Sequence, residues 1–182
     1  MIVEKTPFKG LVVITSRVLK DDRGYFLESW NANVFAECRL DYEFVQDNLS
    51  TSKANVIRGL HFQVEPMAQG KLVRVVKGAV LDVAVDLRKD QPTFGQHFKF
   101  VLDSVENKML FIPPGFAHGF RSLEDETILF YKCTKPYSKN HERVIKWNDP
   151  TLAIDWGISE ALVSERDSNA PSLNKFLQSS NI

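Results

Sequence analysis

Short apolar runs follow one another along this chain, too closely spaced to leave room for helices between most of them. Runs with strand character cover residues 11–18, 24–30, 44–49, 56–63, 71–76, 79–87, 97–102, 108–112, 117–122, 127–134 and 143–147. Asp22, Gly24, Gly78, Asp90, Pro92, Gly95, Pro113 and Gly115 separate them with turn chemistry. Many short strands joined by turns fold as a sandwich, a jelly roll or a barrel. The expected fold is therefore all-β. Two short helices are expected at its periphery, over 31–39 with Asn31 or Asn33 as N-cap, and over 171–177. No repeat, low-complexity tract or linker interrupts the 182 residues, so one domain over 1–182 is the expectation.

Side-chain alternation says which strands meet something polar. Lys71-Leu-Val-Arg-Val-Val76 is apolar on both faces, as inner strands of a closed barrel or strands at a subunit interface are. Over 79–87, Asp82, Ala84 and Asp86 share one face against Leu81, Val83, Val85 and Leu87, so one face meets a polar space. Two further strands each bury a histidine in apolar sequence: Val56-Ile-Arg-Gly-Leu-His-Phe-Gln63 and Ile112-Pro-Pro-Gly-Phe-Ala-His-Gly-Phe120. A guanidinium such as Arg58 is costly in a core strand unless an anion meets it. Arg58 and His61 are three residues apart, which in a regular strand puts them on opposite faces. A bulge at Gly59 would bring both to one side, and that bulge is expected here.

Composition excludes some partners. The formal net charge is +0, which gives no electrostatic case for nucleic acid or an anionic membrane. Cys38 and Cys133 are far apart, with no Cys-x-x-Cys pair, as in a cytoplasmic protein with reduced thiols. No run reads as a signal peptide or reaches membrane-spanning length. There is no Walker loop and no Gly-x-Gly-x-x-Gly, so phosphate recognition would fall to arginines.

Ten blocks in a fixed order carry a resemblance. They are Asp22-Arg-Gly-Tyr-Phe26, Gln46-Asp-Asn-Leu-Ser50, Arg58-Gly-Leu-His-Phe-Gln63, Gln69-Gly-Lys-Leu-Val73, Asp82-Val-Ala-Val-Asp-Leu-Arg88, Pro92-Thr-Phe-Gly95, Pro113-Pro-Gly-Phe-Ala-His-Gly-Phe120, Tyr131-Lys-Cys-Thr134, Trp147-Asn-Asp-Pro150 and Ser164-Glu-Arg-Asp167. Over residues 8–173 the chain resembles the dTDP-4-dehydrorhamnose 3,5-epimerase family. The resemblance implies a cupin-like jelly roll, a homodimer in which the neighbour completes part of each site, and a dTDP-linked 4-keto-6-deoxyhexose as substrate. It implies His61 as the base, Asp167 orienting its ring, Tyr131 as the acid from the opposite face and Lys71 stabilising the enolate at the C4 oxygen. It implies Arg23, Glu28, Gln46, Asn48, Arg58, His118 and Glu142 as substrate contacts, with Tyr137 stacking on the thymine. Arg166 stands where the family usually has lysine, keeping the charge but changing the donor geometry. On the residues alone, Lys71 reads as a solvated strand end and Asp167 as part of a polar loop. His97 and His141 read as surface residues.

Three rival readings have distinguishing features. A metal-binding cupin uses His-x-His, but Gln63 occupies the second position, leaving His61 and His118 as the plausible imidazole ligands. No metal and no cofactor are expected, because the substrate's own ketone would acidify C3 and C5. A non-catalytic sugar-binding jelly roll has no need of a base, its orienting aspartate and an opposed tyrosine together. An enzyme inverting only C3 or only C5 could keep the same catalytic residues.

Overall fold

A computed structural model describes residues 1–179. The last three positions of the expected 1–182 domain lie outside the described residues. The chain runs β1 (Ile2–Lys5), β2 (Val12–Thr15), β3 (Val18–Asp21), β4 (Gly24–Leu27), α1 (Ala32–Glu37), β5 (Gln46–Ser52), β6 (Val56–Gln63) and β7 (Lys71–Lys77). It continues with β8 (Ala79–Asp86), β9 (His97–Asp103), β10 (Lys108–Ile112), β11 (Phe116–Ser122), β12 (Thr127–Cys133), β13 (Glu142–Val144), β14 (Leu162–Val163), α2 (Glu165–Ser168) and α3 (Leu173–Ser179). One sheet has the order β1-β2-β10-β7-β12-β5, and the other β13-β6-β11-β8-β9 with β14 alongside β6. Together they form a cupin-like jelly roll. β3 and β4 make a separate two-stranded hairpin.

Alternation along the strands fills the space between the sheets. Val73 and Val75 of β7, Leu110 and Ile112 of β10, Leu129 of β12 and Phe116 and Phe120 of β11 form one apolar cluster with Val80, Ala84 and Leu102. Each fully buried side chain of this size contributes roughly 1.5–3 kcal/mol. The outward faces are apolar too, as the two-faced pattern of residues 71–76 requires. Leu72, Met109 and Phe111 are covered by Phe35, Leu40 and neighbouring aromatics of the same chain. Ile57, Val83, Val85 and Ala117 are covered by Ile145, Leu152, Trp156, Leu173 and Phe176. The chain therefore supplies its own cover for those strands, without needing a partner subunit there.

Three differences from the sequence expectation have physical causes. The run 11–18 is broken at Ser16 and Arg17 into β2 and β3. A strand not expected from the sequence, β1, pairs with the chain's own β2, with Ile2 opposite Thr15. The polar loop expected around Asp167 holds a one-turn helix, α2, because the Ser164 side chain accepts the Asp167 amide proton and caps it. Asn31 caps α1 as expected, accepting from the amides of Asn33 and Val34.

Candidate active site

A cavity of about 850 Å³ opens at one end of the space between the sheets. One wall is built from β5, β7 and β12, the other from β6, β11 and β13, with α2 at the rim. The apolar cluster closes the far end, and Tyr131 packs against it at the boundary.

The bulge decides what β6 presents. His61 pairs with His118 of β11 and Arg58 with Phe120, so three steps along β6 match two along β11. The extra residue restores a common side, and Arg58 and His61 both line the cavity. Only glycines fit the crossing. A Cβ on Gly59 would lie 2.5 Å from the Gly119 Cα, and one on Gly119 would lie 2.8 Å from the Arg58 carbonyl oxygen.

His61 is half-exposed to the cavity, and its Nε2 lies 2.7 Å from Asp167 Oδ1. The second carboxylate oxygen accepts the Gly59 amide proton at 3.2 Å. Burial opposes ionisation of Asp167, but the His61 contact and the Gly59 and Ser164 hydrogen bonds prevail and hold its carboxyl below the usual range. With Nε2 committed to Asp167, the lone pair of Nδ1 is the free basic site of the ring.

Lys71, which reads as a solvated end in the sequence, is buried. Its Nζ donates to the His61 carbonyl oxygen at 3.3 Å and sits 5.9 Å from the centre of the Tyr131 ring. Burial lowers its pKa against the pull of Cys133, Asp82 and Glu142, so its proton is held more loosely. Tyr131 lies on the wall opposite His61, and burial raises its phenol pKa, keeping it protonated near neutrality. Its hydroxyl has no hydrogen-bond partner among the described residues.

His118, expected as a substrate contact, lines the cavity. Its partner Asp82 was read in the sequence only as part of a polar-facing set, not as a partner of His118, and it is fully buried. Nε2 of His118 lies 2.9 and 3.1 Å from the two oxygens of Asp82. Burial pulls the His118 pKa down more than Asp82 raises it. The signal was present: Asp82 is a carboxylate inside an otherwise apolar strand, and such a group needs a buried partner.

The remaining expected contacts divide into two groups. Gln46, Asn48, Arg58, Tyr137, Glu142 and Arg166 all line the cavity. At the rim, Glu142 Oε2 accepts from the Tyr137 hydroxyl at 2.8 Å and from Arg166 at 2.7 Å. Gln46 accepts the Tyr137 amide proton at 2.7 Å and donates to Asn48 at 3.0 Å. Arg23 and Glu28 do not join them. Arg23 sits at the exposed tip of the β3–β4 hairpin, paired with Asp21, and Glu28 is exposed beside Asn31. The β3–β4 hairpin belongs to neither wall, so neither residue lines the cavity of its own chain. His97 and His141, expected at the surface, are half-buried and lie outside the cavity lining. Among the described residues no cluster of three or more His, Cys, Asp or Glu is arranged to hold a metal ion. No helix among them is long and apolar enough to cross a membrane.

An imidazole–carboxylate pair on one wall, a phenol on the other and a buried ammonium between them can move protons on and off carbon beside a carbonyl. On a jelly-roll frame this chemistry defines the class as a cupin-like isomerase. The family model described as dTDP-4-dehydrorhamnose 3,5-epimerase matches residues 5–175, and the chain belongs to that family. The dTDP-4-dehydrorhamnose 3,5-epimerase of Shigella flexneri is 48% identical over 170 residues, covering 93% of this chain and 94% of the relative. The crystal structure of the Bacillus anthracis enzyme, with TDP and PPi bound, is 44% identical, with a TM-score of 0.93 over 94% of this chain and 99% of that one. The Legionella pneumophila enzyme, solved in complex with dTDP-4-keto-L-rhamnose, is 41% identical, with a TM-score of 0.91 over 95% and 93% of the two chains.

Proposed function

We propose that this protein inverts C3 and C5 of dTDP-4-dehydro-6-deoxy-D-glucose to give dTDP-4-dehydro-L-rhamnose. The observation that carries the reading is the placement of His61, oriented by Asp167, on the wall opposite Tyr131. A keto-sugar between the walls meets a base on one ring face and an acid on the other. Nδ1 of His61 takes the proton next to the C4 ketone. The resulting enolate oxygen is stabilised by the ammonium of Lys71, whose burial makes it a stronger hydrogen-bond donor. Tyr131, kept protonated by burial, returns a proton from the opposite face, and the carbon is inverted. Water then takes the proton from His61 and returns one to the Tyr131 phenolate, so the same pair serves C3 and C5, and the ketone itself supplies the acidity without a cofactor or a metal. His118 and Arg58 hold the sugar–diphosphate, and the rim of Gln46, Asn48, Tyr137, Glu142 and Arg166 holds the nucleotide.

The working unit in this reading is a cytoplasmic homodimer of one-domain subunits. Arg23 and Glu28 support it: both sit on or beside a projecting hairpin, away from the cavity of their own chain. They would complete the neighbour's site. The test is incubation with the keto-sugar nucleotide in D2O, followed by NMR of the ring. Deuterium at C3 and C5 is the expected result. Deuterium at one carbon would make the protein a mono-epimerase, and binding without exchange would make it a sugar-binding module.

A further inference from the structure

β5 turns Gln46, Asn48, Ser50 and Ser52 towards the space between the sheets, and three of the four have partners. Gln46 donates to Asn48, Asn48 donates to the Cys133 sulfur at 3.5 Å, and Ser52 accepts from Arg58 Nε at 3.2 Å. Ser50 is different. Its Oγ is buried without a hydrogen-bond partner, although the residue lines the cavity. A buried hydroxyl left unpaired costs free energy, and native structures seldom carry one without a use. Nothing in the catalytic scheme employs this one.

Its neighbours indicate what it meets. Arg58 is tied to the two residues that follow Ser50, donating to the Thr51 carbonyl at 3.0 Å and to the Ser52 hydroxyl. The guanidinium is therefore held on the stretch of β5 that directly follows Ser50, and both residues line the cavity. In the proposed reading, on which this inference rests, Arg58 takes the diphosphate attached to C1 of the hexose. The ring atom next to C1 is C2. It carries the one ring hydroxyl that is not on a reacting carbon, since C3 inverts, C4 is the ketone and C6 is deoxygenated. We infer that Ser50 Oγ hydrogen-bonds the C2 hydroxyl and makes the site selective for a hexose that has one.

The experiment compares wild type and Ser50→Ala on the keto-sugar nucleotide and on its 2-deoxy counterpart. The wild type is first checked for deuterium exchange with the 2-hydroxy substrate, and failure there removes the parent reading itself. Given exchange, Ser50→Ala should lower kcat/KM for the 2-hydroxy substrate about 5–10-fold, the size of one neutral hydrogen bond. It should leave kcat/KM for the 2-deoxy substrate unchanged. The thermal midpoint should not fall, because alanine removes an unpaired buried group. Unchanged kinetics on both substrates would overturn the inference. So would an equal loss on both, which is the signature of a purely structural role.

Discussion

His61–Asp167 and His118–Asp82 are the same chemical pair placed twice in one cavity, and their surroundings separate them. The side chain of His61 is 32% exposed and that of His118 only 6%. Asp82 sits mid-strand in β8, between β11 and β9, with no exposure at all. Asp167 hangs from a one-turn helix at the rim and reaches β6 through the Gly59 amide. A pair that solvent and substrate can reach is suited to gaining and losing protons. A pair whose carboxylate is sealed in the sheet is suited to holding its imidazole in one geometry at the cavity wall, and burial biases that imidazole towards the neutral form. Residue identity alone does not assign these roles; access does.

The largest expected effect tests the reachable pair. His61→Ala should lower turnover by about 10²–10⁴-fold, the usual contribution of a positioned general base. Exchange at C3 and C5 should fall together, and dTDP affinity, measured by calorimetry, should stay close to that of wild type. Full activity in this variant would remove the base assignment. It would also leave the difference between the pairs without a catalytic meaning.

The second prediction sets the two carboxylates against each other in stability. Asp82→Ala strands a buried, neutral imidazole and should cost about 1–3 kcal/mol in urea unfolding, as a buried polar group left without its partner does. Asp167→Ala should cost clearly less, because water can reach the half-exposed ring of His61 and replace the lost contact. Equal losses would mean that the rim pair is as structural as the buried one, and the contrast drawn from their exposure would fail.

How far this arrangement could be read in the sequence varies from residue to residue, for physical reasons. His61 and Arg58 were legible because a charged group and an imidazole in an apolar strand demand a polar face, and Gly59 supplied the means to share it. Lys71 was misread by local pattern, since a lysine at a strand end looks solvated whatever the other sheet later places over it. Asp167 depended on the family resemblance. Its local signal, Ser164-x-x-Asp167, is a capping pattern that predicts a helix start and says nothing about a histidine 106 positions away. Asp82 was visible as an oddity but not as a partner, because β8–β11 pairing is long-range. Arg23 and Glu28 came only from the family resemblance, and their distance from the cavity of their own chain was not legible, since a single strand pattern does not say which sheet a hairpin joins.

The smallest expected effect separates the pairs by pH. Asp167 stays ionised in the folded protein at pH values where the unfolded chain would protonate it, near about 4. The unfolded state then binds more protons, so stability rises with pH across that window. The contribution of Asp167 is thus complete above the ordinary carboxylate pKa and is lost as pH falls through its lowered one. Groups such as His118 and His97, whose pKa values burial lowers, act in a higher window, starting near the ordinary histidine value of about 6.5. There too the unfolded chain takes up the proton first, and stability falls as pH drops. Asp167→Asn should therefore leave the upper limb of a stability–pH curve intact and flatten only the lower one. Urea midpoints of the variant and wild type should differ at about pH 6 and converge towards about pH 3. A gap that stays constant across that range would show that the His61–Asp167 contact is not held by charge, and the rim pair would lose the electrostatic basis for orienting its base.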